Sequence, residues 1–323
     1  MSPTTTTTDK VQETAGDPAL QRILNQVLTL GLTENLVELE TQGFTTLHNV
    51  LSPPQIERAK QAILARVERL RGRRIDINNA SASDVTGMQY IPYLLYDDEI
   101  FEEILMEAKP LTLVSYLLGE SCLLSSLGCH FRGPGGTPLM LHSDNGNGMP
   151  APYSTISMVA NVNYALTPYS REAGALAMVP GSHRLLRQPT PHENFRPAGM
   201  SAREVAARAR SGESSDDVMW AEPRGVIPMN LSPGDAVVWH GNTWHGSFRR
   251  DLPGVRMNLA VYFNRQHVQT QERHGDAVPA SVLARHANHE RFRTLLGGKQ
   301  PYGWQQEGPD YTVMARNPQG LFD

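Results

Sequence analysis

The sequence predicts an α+β fold, with helices packed on one face of a β-sandwich or barrel. Three observations carry that expectation. Apolar residues recur at helical spacing up to about residue 120 and again near the C-terminus. Between about residues 121 and 265 the apolar runs shorten to strand length, parted by Gly- and Pro-rich turns. Helices first and strands after is also the order of an α+β chain, not of alternating strand–helix units.

Residues 1–18 are polar, Thr-rich and without apolar periodicity, which predicts a mobile tail before a single domain over 19–323. In the helical part, 19–120, Leu20, Ile23, Leu24, Val27 and Leu28 mark a first helix from Ala19. Ser52-Pro53-Pro54-Gln55 supplies an N-cap, Pro at the first helical position and a capping-box Gln. Ile56, Ala59, Ile63 and Val67 then form the buried stripe of that second helix. A third helix is expected over Glu99–Leu118, closed by Gly119. Leu123–His130, Ser154–Ala165, Gly174–Val179, Ala236–His240 and Met257–Asn264 read as the strands of a core over 121–265. A polar insertion at 185–233, with a weak helical piece at 202–209, has the length of a lid. Residues 266–323 return to helix, Ser281–Leu296, and end in a Gly/Pro-rich tail.

Composition narrows the function classes. The net charge is −4, so no electrostatic footprint points to nucleic acid or an anionic membrane. No apolar run is long enough to span a bilayer. The N-terminus lacks the basic and apolar regions of a signal peptide, which predicts a cytoplasmic location. Cys122 and Cys129 are too few for a disulfide framework or a thiolate zinc site, and read as buried free thiols. The partner expected is a small molecule; a homodimer is compatible with the sequence.

Two strings carry the chemistry. His142-Ser143-Asp144 offers an imidazole and a carboxylate two residues apart, which in a strand point to one side. Trp239 to Ser247 brings His245 and, two residues on, Ser247, with Arg256 following after a Pro-Gly turn. His142, Asp144 and His245 would hold one ferrous ion on one face, leaving three positions for a bidentate cosubstrate and dioxygen. A hairpin turn near Asp251 and Leu252 would set Ser247 across from Arg256, as a receptor for the far carboxylate of a dicarboxylic acid. A His-x-Asp pair alone is weak evidence, and His274-Gly-Asp276 is a second copy; it reads as surface. His240 is the rival ligand, but an odd spacing from His245 turns it to the other face, as a hydrogen-bonding core residue.

At these residues the chain resembles the phytanoyl-CoA dioxygenase (PhyH-like) family of Fe(II)/2-oxoglutarate oxygenases. The resemblance runs from Gly43-Phe44 through Gly174–His183 to Gly234-Asp235, His245-Gly-Ser247 and Arg256, about two-thirds of the chain. It implies a double-stranded β-helix (jelly-roll, cupin-like) core. His142, Asp144 and His245 would be the iron ligands, Ser247 and Arg256 would bind 2-oxoglutarate, and His183 would be structural. Asp144 stands where halogenating relatives carry Gly or Ala, which disfavours halogenation. Asn145-Gly-Asn-Gly148 is no family feature and stands where it could shape the pocket mouth.

The expected reaction is dioxygenation of a C–H bond, chiefly hydroxylation, with O2 consumed and succinate and CO2 released. Desaturation, epimerisation or cyclisation in secondary metabolism would start from the same hydrogen abstraction. Tyr90, Tyr93, Asn161 and Trp220 are the substrate-pocket candidates. A non-catalytic cupin-like binding protein would have no need of both Ser247 and Arg256. A zinc hydrolase on the same triad would want a general base and has no use for Arg256.

Overall fold

The computed structural model describes residues 18–146, 149–201, 203–204, 207, 218–274, 278–298, 304–305 and 307–311. The chain starts with α1 (Pro18–Thr29), α2 (Thr33–Gln42) and α3 (Pro53–Arg71), then α4 (Glu99–Leu105) and α5 (Ala108–Leu118). Both halves of the Ser52/Gln55 capping box form at the start of α3, and Ile56, Ala59, Ile63 and Val67 are buried as the periodicity requires. The expected single helix over 99–118 is broken at Met106 and Glu107. Pro110 explains the break: its ring would clash with the carbonyl of residue 106 in a continuous helix. Restarting at Ala108 places it in a first turn, where the missing N–H costs nothing. The C-terminal helix also divides, into α6 (Ala280–Arg285) and α7 (Glu290–Leu295), where His289 caps α7 by accepting from the Phe292 amide.

The strands are β1 (Phe44–Leu47), β2 (Met88–Ile91), β3 (Leu123–Arg132), β4 (Leu139–His142), β5 (Val159–Ala165) and β6 (Leu176–Met178). They continue with β7 (Arg196–Pro197), β8 (Trp220–Ala221), β9 (Ile227–Pro228), β10 (Ala236–His240), β11 (His245–Ser247) and β12 (Asn258–Asn264). Two antiparallel sheets form the core: a six-stranded sheet ordered β1-β10-β5-β12-β3-β2 and a four-stranded sheet ordered β4-β11-β6-β9. This is the α+β jelly-roll that the sequence predicts. The short strands β1, β2, β7, β8 and β9 were not anticipated; each has at most four residues, too few for alternation to show.

The large sheet has two chemically different faces. Val162, Tyr164, Leu259, Val261, Leu127, Cys129 and Phe131 join the helices in the main apolar core. Each such side chain, fully buried, contributes about 1.5–3 kcal/mol. The other parity of the same strands turns Asn161, Asn163, Tyr262, His130 and Arg132 toward the small sheet, which is where polar chemistry can be housed. The small sheet's outer face is covered instead by Phe195, Trp220 and Val226, from the 185–233 insertion, packed on Leu141, Ala177 and Phe248. Cys122 and Cys129 are free and buried. No described helix is long and apolar enough to cross a membrane. The tail at 1–17 and most of the expected helix at 202–209 lie outside the described residues.

Candidate metal centre

His142, Asp144 and His245 converge: one donor atom from each lies within 4.8 Å of the other two. They arrive from three places. His142 ends β4 and His245 opens β11, and the two are register partners in neighbouring strands. Asp144 is not on the His142 strand, as the two-residue spacing suggests, but on the 3-10 turn Asp144–Gly146 that follows it. Asn145 makes that turn: its Nδ2 donates to Asn242 Oδ1 at 2.7 Å, and its Oδ1 accepts from the Met158 and Val159 amides. Gln188, from the insertion, clamps the backbone between the two ligands, accepting from Ser143 N at 2.8 Å and donating to Ser143 O at 2.7 Å.

Gly246 lets β11 approach. A Cβ there would meet Leu139 O at 2.3 Å, so a side chain would drive β11 off β4 and separate the two histidines. Pro180–His183 serves the same strand from outside, because Ser182 Oγ accepts from the Trp244 amide at 2.8 Å.

Both imidazoles are held in one tautomer. His142 Nδ1 lies 2.9 Å from Met140 O and His245 Nδ1 lies 3.0 Å from Thr243 O. A carbonyl only accepts, so the proton sits on Nδ1 and the Nε2 lone pair faces Asp144. His142 Nε2 is 3.6 Å from Asp144 Oδ1 and His245 Nε2 is 3.4 Å from Oδ2. Burial pushes the His245 imidazole down to about 4, against the pull of the Asp144 carboxylate, which leaves it neutral at pH 7 and able to ligate. At metal–ligand distances of about 2.1 Å, donors at right angles sit about 3 Å apart, so these three donors would draw together on an ion. Two imidazoles and one carboxylate on one face fit a ferrous ion. His142 keeps 32% of its side chain exposed against 3% for His245, so the centre opens on the His142 side.

Behind His245 lies a small pocket between the sheets, of about 20 Å³, walled by Trp239, Asn163, Ser247, Arg256 and Tyr262 among others. Ser247 and Arg256 do share this cavity, but not across a hairpin. β11 pairs with β4 and β6, whereas Arg256 bridges to Arg132 beside β3, so the two face each other from opposite sheets. Arg256 is 1% exposed; its Nη1 donates to Gly174 O and its Cζ lies 4.9 Å over the Tyr169 ring.

Arg132 was missed by sequence reasoning. It is 0% exposed, and its Nη1 reaches Ser247 Oγ at 3.4 Å. Burial, then the neighbouring Arg256, lowers it to about 9, so it still carries its proton at pH 7. Two buried guanidiniums side by side repel each other. Among the described residues, Arg132 Nε, Arg256 Nε and Trp239 Nε1 are all buried donors without an acceptor. A cavity with surplus positive charge and surplus donors fits an acceptor-rich dianion such as 2-oxoglutarate. The available signal was parity: Arg132 is the one charged residue of β3 and shares a face with His130.

The other candidates separate. Asn161 touches the centre, donating from Nδ2 to Asp144 Oδ2 at 2.6 Å. Tyr90 stands against His130, a cavity wall, with ring centroids 4.9 Å apart. Tyr93 is half-exposed on the turn after β2, at φ 58°, with its amide held by Glu272. Trp220 is on the outer side of the small sheet and is not brought to the triad. His240 is a buried core residue whose Nδ1 accepts from the Asn242 amide, as expected. His274 corrects the surface reading: it is 3% exposed and its Nδ1 pairs with Tyr96 Oη, because the 265–274 segment folds back over β3. Asp276 and Asn147-Gly148 lie outside the described residues.

The family model described as phytanoyl-CoA dioxygenase (PhyH) matches residues 39–257. Dioxygenase af480 of Aspergillus fumigatus is 27% identical over 260 residues, 78% of this chain and 73% of the relative. The ectoine dioxygenase of Nocardia farcinica is 26% identical over 245 residues, 72% of this chain and 77% of the relative. HygX from Streptomyces hygroscopicus, solved with nickel and 2-oxoglutarate bound, superposes with a TM-score of 0.52 at 19% identity, covering 77% of this chain and 92% of its own.

Proposed function

The chain belongs to the phytanoyl-CoA dioxygenase family, and from that membership we propose an Fe(II)/2-oxoglutarate-dependent dioxygenase that oxidises a C–H bond of a small organic substrate, most simply by hydroxylation. One observation carries the reading: a His-Asp-His triad stands beside a pocket lined by the Ser247 hydroxyl and the buried Arg256 guanidinium, with the buried Arg132 reaching Ser247 as well. His142, Asp144 and His245 are the proposed iron ligands. Bound there, iron would supply the redox chemistry that splits 2-oxoglutarate and O2 into succinate, CO2 and an oxygen atom for the substrate.

The protein's own part is positioning. Ser247 and Arg256, seconded by Arg132, fix the far carboxylate of 2-oxoglutarate, so that its keto-acid end lies toward His245. Trp239, packed 4.9 Å from the His245 ring, keeps water from that side. Substrate would enter on the exposed flank of His142. Protein loaded with Fe(II) without oxygen, then given O2 and 2-oxoglutarate with a panel of small molecules, is expected to form succinate. Tight zinc retention with no succinate from any of them would favour a hydrolase instead. Iron and 2-oxoglutarate binding without turnover would leave a binding protein.

A further inference from the structure

Asn161 lies in β5 on the cavity side of the large sheet and is 0% exposed. Its register partners are Trp239 on β10 and Tyr262 on β12, so aromatic side chains flank it on both sides. The amide has one polar neighbour, the Asp144 carboxylate, reached from Nδ2 at 2.6 Å. A carboxylate only accepts, so the –NH2 end must face it and the carbonyl end must turn away. Asn161 Oδ1 is then buried with no hydrogen-bond partner. An unpaired buried carbonyl forfeits its hydration, a cost set against the bond to Asp144. Asn161 gives up half its hydrogen bonding to hold one oxygen of a proposed metal ligand.

Resting on the iron-centre reading, we propose that Asn161 is a positioning residue that fixes how Asp144 binds the ion. The bond to Oδ2 stops the carboxylate from rotating, so that Oδ1 stays 3.6 Å from His142 Nε2 and Oδ2 3.4 Å from His245 Nε2. A carboxylate released from that bond would turn, and the oxygen that completes the triad would leave its place beside the two imidazoles. Gln188 fixes the backbone of the ligand turn, and Asn161 fixes the carboxylate at its end.

The test uses the full-length, metal-free protein with Co(II) as probe, reading its dissociation constant and its visible ligand-field spectrum. Asn161→Leu and Asn161→Ala both remove the amide but differ in volume, so a packing defect in one is checked by the other. Circular dichroism identifies the folded variants. The expected result is a 10- to 100-fold weaker Co(II) affinity, about the usual loss when such a partner is removed, with a spectrum of changed shape. A folded variant with wild-type affinity and spectrum overturns the inference. So does weaker affinity with an unchanged spectrum, which would mean that Asn161 only stiffens the pocket. Failure of the wild-type protein itself to bind Co(II), with His245→Ala no different from it, would sink the metal centre instead.

Discussion

Arg132 and Arg256 make sense only together with a ligand. Each guanidinium is buried and, among the described residues, each leaves its Nε unpaired and has no carboxylate ion pair. Charge-assisted hydrogen bonds contribute about 1.5–3 kcal/mol each, or roughly 10- to 100-fold in binding. Arg256→Ala is therefore expected to raise the 2-oxoglutarate concentration for half-maximal succinate formation by that factor while leaving iron content nearly intact. Unchanged cosubstrate dependence would remove Arg256 from the pocket. At this scale the residues were legible and their geometry was not: His142, Asp144 and His245 converge, and Ser247 and Arg256 share a pocket with His245, but neither strand alternation nor a hairpin brings them there. Arg132 was not legible, because a strand arginine reads as a surface salt-bridge former until its face is known. His274 failed for the converse reason: its polar sequence neighbours hide the fold-back that buries it.

Among the elements, β11 has the narrowest tolerance. Three residues carry a proposed metal ligand, a glycine against a neighbour's carbonyl, and a proposed cosubstrate contact. Gly246→Ala is expected to weaken Fe(II) and Co(II) binding at least tenfold, measured by titration, because the added carbon must push β11 from Leu139. A variant that binds metal as the wild type does would show that β4 yields without moving His142. The helices illustrate which elements a sequence reveals. α3 carries its cap, its proline and a four-residue apolar stripe, and forms as read. The 99–118 segment has the right periodicity, yet the backbone chemistry of Pro110 outweighs it. β4 and β11 carry His142 and His245 as expected, but β4 ends at His142, so the His142–Asp144 geometry comes from the turn made by Asn145 and not from strand alternation.

The molecule as a whole stores its acid sensitivity in buried neutral histidines. Burial lowers His240 to about 4 and His130 to about 3, with further lowering by His183 and Arg256 respectively. Both values lie below the usual 6.5 of an unfolded chain. Stability is therefore complete above about pH 6.5, and is lost as pH falls toward those folded values, because the unfolded chain takes up protons first. The slope is about 1.4 kcal/mol per pH unit for each histidine. Urea titrations of the metal-free protein between pH 7 and 4.5 should show it, and His240→Asn should flatten it by one proton; an unaltered slope would clear His240. The α+β class was legible because helical and strand periodicities occupy separate parts of the chain. The pairing of strands into two sheets was not, since it depends on long-range register. That pairing put Ser247 and Arg256 on facing walls where a hairpin was expected.

That division has a further meaning. The histidines hang from the thin wall and the arginines from the thick one, and a packed core holds stacked sheets about 10 Å apart. Ser247, though, hangs beside His245 on the thin wall while Arg256 stands on the thick one, so an anion held by both would act as a rivet between the sheets. Its binding would then be expected to raise the melting temperature as well as to fill the site.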